Sequence, residues 1–343
     1  MKVAVYYNNR DIRIEEMPLP EIGDGELLVK VMASGICGSD VMEWYRIKKA
    51  PRVLGHEITG EVVRVGKGVE RYKIGDRVFV SHHVPCNICH YCLQGNYTVC
   101  DTLRNTNFYP GGFSEYIRVP RINVDRGVFI LPENVGFDEG TFIEPLGCCV
   151  RGMRLVGFRP GWSVVILGSG IAGLLNIALA KALGASSILS TDINDYRLRK
   201  AEEIGADLSL HPREDLPAKL RELNRGRLAD LVIVATDAKE VFNQALNLVD
   251  RGGTILLFAP PQPGTELSIP GFPFWREQIR LISTYAAAPE DIEVAIELIA
   301  SKRVEVESMI THKLPLEDAP LGFRLVAEAG ESIKVIIKPQ GME

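Results

Sequence analysis

Ser163-Val164-Val165-Ile166-Leu167-Gly168-Ser169-Gly170-Ile171-Ala172-Gly173-Leu174-Leu175 is the stretch on which the fold turns. Its first half is uncharged and rich in β-branched residues, which reads as a buried strand, and the apolar run after Gly173 reads as a helix. Gly168, Gly170 and Gly173 stand between them at G-x-G-x-x-G spacing. The first glycine permits a tight turn, the second lets backbone approach a pyrophosphate, and the third lets helix and strand pack closely. Ile171 and Ala172, between the second and third glycines, are candidate cofactor contacts and lead into a helix whose N-terminus faces the phosphates. The spacing alone is weak evidence; the flanking strand and helix make it a dinucleotide site. Asp192 ends the next strand, nineteen residues past Gly173, where an acid binds both ribose hydroxyls and repels a 2′-phosphate. NAD is expected over NADP, although Arg197 and Arg199 lie near enough in sequence to take such a phosphate.

Outward from this turn, strands and helices alternate. Strands are expected at 163–167, 187–191, 207–210, 228–235, 253–259 and 279–285, with helices at 173–183, 196–204, 215–224 and 238–249. That alternation implies a parallel, doubly wound sheet with helices on both faces. Upstream the texture differs. Short strands at 26–33, 57–65, 77–81 and 113–119 are separated by Gly-Asp, Gly-Lys-Gly and Pro-Gly-Gly turns, and 138–156 reads as a helix. The tail adds helices at 291–300 and 316–328 and a strand at 332–338, too many elements for a sheet of six strands. An α/β chain of two domains follows, with 1–152 and the returning 287–343 forming one and 153–286 inserted as the other.

Composition narrows the function. Lys plus Arg, 39, against Asp plus Glu, 44, gives a net charge of −5, so no basic footprint for nucleic acid or an anionic membrane is present. Residues 160–180 are uncharged, but Ser163, Gly168, Ser169, Gly170, Gly173 and Asn176 interrupt them as a strand, turn and helix would. The N-terminus turns polar at Asn8, too early for the apolar core of a signal peptide, so the expected location is cytoplasmic.

Seven cysteines, an odd number, cannot pair completely. Cys86, Cys89, Cys92 and Cys100 form a C-x2-C-x2-C-x7-C run, and four thiolates at such spacing wrap one zinc ion in a closed, structural site. An iron–sulfur cluster uses similar spacings. His90 lies within the run but is surplus to a complete set. Further upstream, Cys37 precedes Gly38-Ser39-Asp40, and Gly55-His56-Glu57 opens a G-H-E-x2-G-x5-G-x2-V pattern.

These three motifs, in this order, resemble the zinc-dependent medium-chain dehydrogenases over essentially the whole chain. The resemblance implies a β-rich, GroES-like catalytic domain beside a Rossmann dinucleotide-binding domain. It implies two zinc ions per subunit, one structural and one catalytic, the latter held by Cys37, His56 and one or both of Glu57 and Glu144, with water. Phe142-Ile143-Glu144-Pro145-Leu146 resembles the sorbitol and threonine dehydrogenase branch, where Glu144 replaces a second cysteine ligand. Cys148, one helical turn on, is the alternative ligand, and Cys148 and Cys149 otherwise read as small fillers near the cofactor. Asp40 is implied to hold the His56 imidazole, and Ser39 to take the proton of an alcohol. Two departures stand out. Met42 replaces a histidine that ends the relay, and Glu43 replaces a tyrosine, an acid that disfavours anionic substrates and suits a polyol. Trp44 and the Arg276-Glu277 pair match the sorbitol branch.

The implied activity is hydride transfer between NAD and a secondary alcohol of a polyol, sugar derivative or related molecule. An L-threonine 3-dehydrogenase-like activity, and a catalytically silent zinc- and NAD-binding protein, are the rival readings. Relatives in such a family form dimers or tetramers, and 279–285 is the expected sheet edge for a homo-oligomer.

Overall fold

A strand covered by helices on both faces has no polar side, and Ser163–Leu167 is buried at all five positions. It is a central strand of a six-stranded, all-parallel sheet in the computed structural model, which describes residues 1–342 apart from the side chain of Lys239. The strand order is Leu208–Leu210, Ser187–Thr191, Ser163–Leu167, Ala229–Val234, Val249–Leu257 and Arg280–Ser283. This is the doubly wound order, reversing direction at Ser163–Leu167, whose carboxyl end therefore opens at a switch point. Val165, Leu167, Leu189, Val232, Val234 and Ile255 form a core with Leu220, Phe242, Ala245 and Leu248 from the helices. Helix Ile171–Ala182 is buried without a break from Gly173 to Ala180. Asn194 caps helix Asp195–Ile204 by accepting from the Tyr196 and Arg197 amides, and Asp215 caps Leu216–Leu223 by accepting from Ala218.

Residues 148–285 make one compact unit, and 1–147 with 286–343 make the other. The division falls inside helix Ile143–Val156. The second unit is built on antiparallel pairing, apart from the parallel pair Ile310–Pro315 and Lys334–Lys338. Its main sheet runs Ile310–Pro315, Lys334–Lys338, Leu27–Gly35, Glu57–Val65, Arg77–Val80, Val128–Ile130, with Tyr116–Val119 also paired to Leu27–Gly35. A smaller sheet orders Asp11–Glu16, Lys2–Asn8 and Arg52–Val53. Leu27, Val29, Val31, Ile58, Val62, Val78, Val80 and Ile117 fill the interior of the main sheet.

Three differences from the sequence expectations have physical causes. Strand Ile310–Pro315 was not expected, because it is half-buried at every position but the exposed Lys313 and shows no alternation of apolar and polar residues. The helix expected over 138–156 is two, Phe137–Gly140 and Ile143–Val156. Helix Gly271–Arg276 buries no residue and exposes Phe272 and Trp275, so it has no core-facing stripe to reveal it. No helix among the described residues is long and apolar enough to cross a membrane.

Candidate active site

Antiparallel register builds the first site. Gly35, the last residue of its strand, lies opposite Glu57, the first residue of the next, and Ile336 lies opposite Gly35 from the other side. Cys37 follows the first strand by two residues and His56 precedes the second by one, so the pairing sets them together. Ligand atoms of Cys37, His56 and Glu57 all lie within 4.8 Å of one another. Immediately after Cys37 the chain makes the single turn Gly38–Asp40, in which the Ser39 amide donates to Cys37 Sγ at 3.4 Å and the Cys37 amide donates to Asp40 Oδ2 at 3.2 Å.

Asp40 is fully buried and faces His56 Nδ1 at 3.5 Å. Burial alone would raise its pKa, but His56 and Arg46 hold it below the usual carboxylate range. His56 shows the converse. Burial works against its charge, yet Asp40 and the Cys37 sulfur raise its pKa well above the ordinary histidine value. An acceptor at Nδ1 fixes the ring and leaves Nε2 for a metal.

Two basic side chains, neither foreseen from the sequence, complete this arrangement. Lys334 is buried and donates to Glu57 Oε2 at 2.5 Å and to the Thr141 carbonyl at 3.2 Å, with its ammonium 4.9 Å from the centre of the Phe142 ring. A Cβ at Gly35 would overlap both Glu57 Oε2 and Lys334 Nζ, so only glycine leaves room for the pair. Arg46 donates to the Ser39 carbonyl and to Ser39 Oγ, each at 2.9 Å, and to Asp40 Oδ1 at 3.2 Å. The signals were a lone lysine within the apolar run Ile333 to Ile337, and a basic stretch, Arg46 to Lys49, between the two metal motifs.

A histidine pair was also missed. The His82 and His56 ring centres are 4.9 Å apart, and those of His82 and His83 are 3.7 Å apart. Burial drives both pKa values down, His82 well below the ordinary value and His83 to about 3, helped by the neighbouring histidines and by Arg46. Both rings are therefore neutral at pH 7.

Glu144 is buried in the first turn of helix Ile143–Val156 but is outside the Cys37–His56–Glu57 group. Cys149, further along that helix, is buried, and Cys148 is half-buried. Met42 is the N-cap of the short helix Glu43–Arg46, Glu43 is exposed, and Trp44 lies 5.8 Å from the Tyr45 ring. Arg276 is exposed, and no ion pair with Glu277 occurs among the described residues.

The cysteine run folds into a second donor set. Its sulfurs lie 3.5 Å apart for Cys89 and Cys92, 3.6 Å for Cys86 and Cys100, and 3.9 Å for Cys86 and Cys92. A tetrahedron of zinc–sulfur bonds near 2.3 Å places its sulfurs about 3.8 Å apart, so the run fits one ion, whereas a cluster would spread its thiolates over separate irons. Burial acts against ionisation of Cys100, but amide donors from Cys86 and Leu103 lower its pKa to about 6. His90 is exposed beside this set and is not part of it.

At the dinucleotide turn, Gly168 has φ of 101°, and a Cβ at Gly173 would collide with the Gly168 carbonyl. Gly170 is the N-cap of helix Ile171–Ala182, and a Cβ there would meet Arg197 Nη1 at 3.7 Å, an ordinary contact. Asp192 accepts from the Ser169 amide at 2.8 Å and from the Asn194 amide at 3.0 Å, which locks its carboxylate against the turn. Arg197 Nε is buried with no hydrogen-bond partner among the described residues.

This fold, with one closed sulfur site and one mixed donor set, defines a zinc-dependent dehydrogenase. Residues 23–126 match the alcohol dehydrogenase GroES-like domain and residues 172–301 the zinc-binding dehydrogenase domain. The chain is 32% identical to sorbitol dehydrogenase of Bacillus subtilis, covering 99% of this chain and 97% of that one. It is likewise 32% identical to sorbitol dehydrogenase of Gallus gallus, over 98% and 95%. A putative zinc-binding dehydrogenase from Sinorhizobium meliloti, solved bound to NADP, superposes with a TM-score of 0.87 at 29% identity, over 98% and 99% of the two chains. The chain belongs to the zinc-dependent medium-chain alcohol dehydrogenase family. Within it, the chain falls in the sorbitol dehydrogenase-like branch and is an oxidoreductase of the alcohol and polyol dehydrogenase class.

Proposed function

We propose that the chain oxidises a secondary hydroxyl of a polyol or sugar derivative with NAD, using one catalytic zinc and a second, structural zinc. The observation that carries this is the convergence of one thiol, one imidazole and one carboxylate at Cys37, His56 and Glu57, backed by a buried acceptor at Asp40. That donor set suits zinc with a position left open, and the four-cysteine set suits zinc with none. When bound, the catalytic ion polarises an alcohol oxygen and NAD takes hydride from the adjoining carbon.

The chain's own groups do the rest. Asp40 keeps His56 in the tautomer that presents Nε2. Glu57 is charge-compensated by Lys334, which leaves its carboxylate held by the protein until a ligand competes for it. Glu144 stands in the same unit as a further carboxylate for that ion. Ser39 Oγ accepts the alcohol proton as it releases its own hydroxyl proton, which leaves by way of water, the cofactor ribose or Glu144. Arg46 already donates to that oxygen and, as a permanent cation, cannot carry the proton onward. Met42 cannot carry it either. Gly168, Gly170 and Gly173 shape the pyrophosphate turn, Asp192 takes the ribose hydroxyls and favours NAD, and Arg197 supplies a donor to the phosphates. The exposed edge strand Arg280–Ser283, flanked by exposed Phe272, Trp275 and Tyr285, supports a homo-oligomer built by extending that sheet.

Polyol-dependent NAD reduction should vanish in chelator-stripped enzyme and return with added zinc. Full turnover without metal would overturn the proposal. Ser39→Ala should slow turnover by about 10²-fold or more and leave the NAD dissociation constant within about twofold. Equal rates would remove Ser39 from the proton path.

A further inference from the structure

His82 and His83 belong to neither donor set, yet they stand beside the one suited to chemistry. The His82 ring centre is 4.9 Å from that of the ligand His56 and 3.7 Å from that of His83, which stacks against it at a tilt of 33°. His82 Nδ1 is buried with no partner among the described residues, while the residue as a whole is only half-buried. Nε2 is therefore the ring nitrogen that a ligand can reach.

The segment that carries these rings is tied down group by group. Asn123, fully buried on helix Arg121–Gly127, donates through Nδ2 to the Ser81 and His82 carbonyls, each at 3.0 Å. The Ser81 amide donates to the Gly127 carbonyl at 2.7 Å, and Ser81 Oγ donates to the His83 carbonyl at 2.9 Å. Arg126 from the same helix donates to the Pro85 carbonyl at 2.7 Å. A Cβ at Gly127 would overlap the Val84 side chain, so helix and segment meet without a gap. A ring held for packing alone gains nothing from a buried nitrogen left without a partner, which costs free energy that an apolar ring would not. Fixed backbone around an imidazole is instead what a binding contact requires.

An imidazole presents either a donor or an acceptor at Nε2, according to its tautomer, and a hydroxyl answers both because it donates and accepts. Rings with centres 4.9 Å apart meet groups on adjoining atoms of one small molecule rather than on its far end. We propose that His82 is a specificity-determining residue whose imidazole hydrogen-bonds a second substrate hydroxyl, on the carbon next to the one oxidised. The substrate class is then a vicinal diol or polyol rather than a simple secondary alcohol. This rests on the dehydrogenase reading and sharpens its substrate class.

The test compares butane-2,3-diol with butan-2-ol, which share a skeleton and a secondary hydroxyl and differ in the neighbouring one, in NAD-coupled steady state. Wild type should favour the diol by about tenfold or more in kcat/KM, mostly through KM, because the simpler alcohol leaves the imidazole unpaired. His82→Phe keeps an aromatic ring without its nitrogens and should bring that ratio to about one. His82→Gln, which restores a donor and an acceptor, should recover part of it. No diol preference in the wild type, or an equal loss on both substrates in His82→Phe, would overturn the inference. Calorimetric titration of the NADH complex with butane-2,3-diol, which allows binding without turnover, separates this contact from the dehydrogenase reading. If neither alcohol is oxidised, diol binding that weakens about tenfold in His82→Phe upholds the contact while the dehydrogenase reading fails. Binding that is absent, or equal in the two proteins, overturns the contact.

Discussion

The two candidate zinc sites are assembled by opposite routes. The four-cysteine lobe draws all its donors from fifteen residues, 86–100, and has little else to hold it. Its apolar cluster is Cys92, Cys100 and Leu103, while Ile88 and Leu93 are 79% and 75% exposed. The Cys37–His56–Glu57 site sits at the ends of central strands, behind a fully buried Asp40 and a buried Glu57–Lys334 pair. A metal in the lobe supplies folding energy that its small core lacks. At the other site the sheet supplies the folding energy, and the protein holds a mixed donor set ready for chemistry.

Substitutions should separate these roles. Cys37→Ala should cut turnover by at least about 10³-fold, since several kcal/mol of electrostatic stabilisation is lost, while circular dichroism and Tm stay close to wild type. A large fall in Tm would make that site structural. Cys92→Ser should do the reverse to the fold, opening the lobe to protease cleavage within 86–100 at a local cost of several kcal/mol. An uncleaved lobe would mean that its metal is dispensable.

Lys334→Met leaves Glu57 buried without compensation and should cost about 3–5 kcal/mol in denaturant unfolding. Adding Glu57→Gln should recover part of that loss, and strict additivity would deny the coupling. Asp40→Asn should lower zinc affinity at the Cys37 site by about 10–100-fold and leave the lobe's metal in place, as metal analysis after graded chelation would show.

The smallest effect concerns the returning tail. Asp138 pairs with Lys313 at 2.7 Å and Lys338 at 2.6 Å, and although burial acts to raise its pKa, these two lysines lower it below 3.8. A lowered folded pKa stabilises above the unfolded value, and that stabilisation is lost as pH falls through the folded one. Asp138→Asn should therefore cost about 1–2 kcal/mol at pH 7, and the difference from wild type should shrink below pH 3.8. A difference independent of pH would mean the loss is one of packing.

How much the sequence disclosed follows from how local each device is. Gly173 is required by an atom five residues away, and the cysteines of the lobe close over fifteen residues, so both were legible as motifs. Cys37 and His56 lie nineteen residues apart and were recognised through the family they resemble. Lys334 is 277 positions from Glu57 and meets it only because three strands pair in a particular register. His82 likewise reaches His56 only through the pairing of Arg77–Val80 with Glu57–Val65. Arg46 was in plain view, but only the turn Gly38–Asp40 shows that its guanidinium is spent on Ser39 and Asp40.

The measurement that tests the central claim most directly is zinc content per chain, determined beside polyol-dependent NAD reduction in the same preparations of wild type and Cys37→Ala. Two zinc ions in the wild type, and one in a Cys37→Ala protein that no longer reduces NAD, is the predicted result. A single ion in the wild type, or a Cys37→Ala protein that keeps two ions and still turns over, would contradict it.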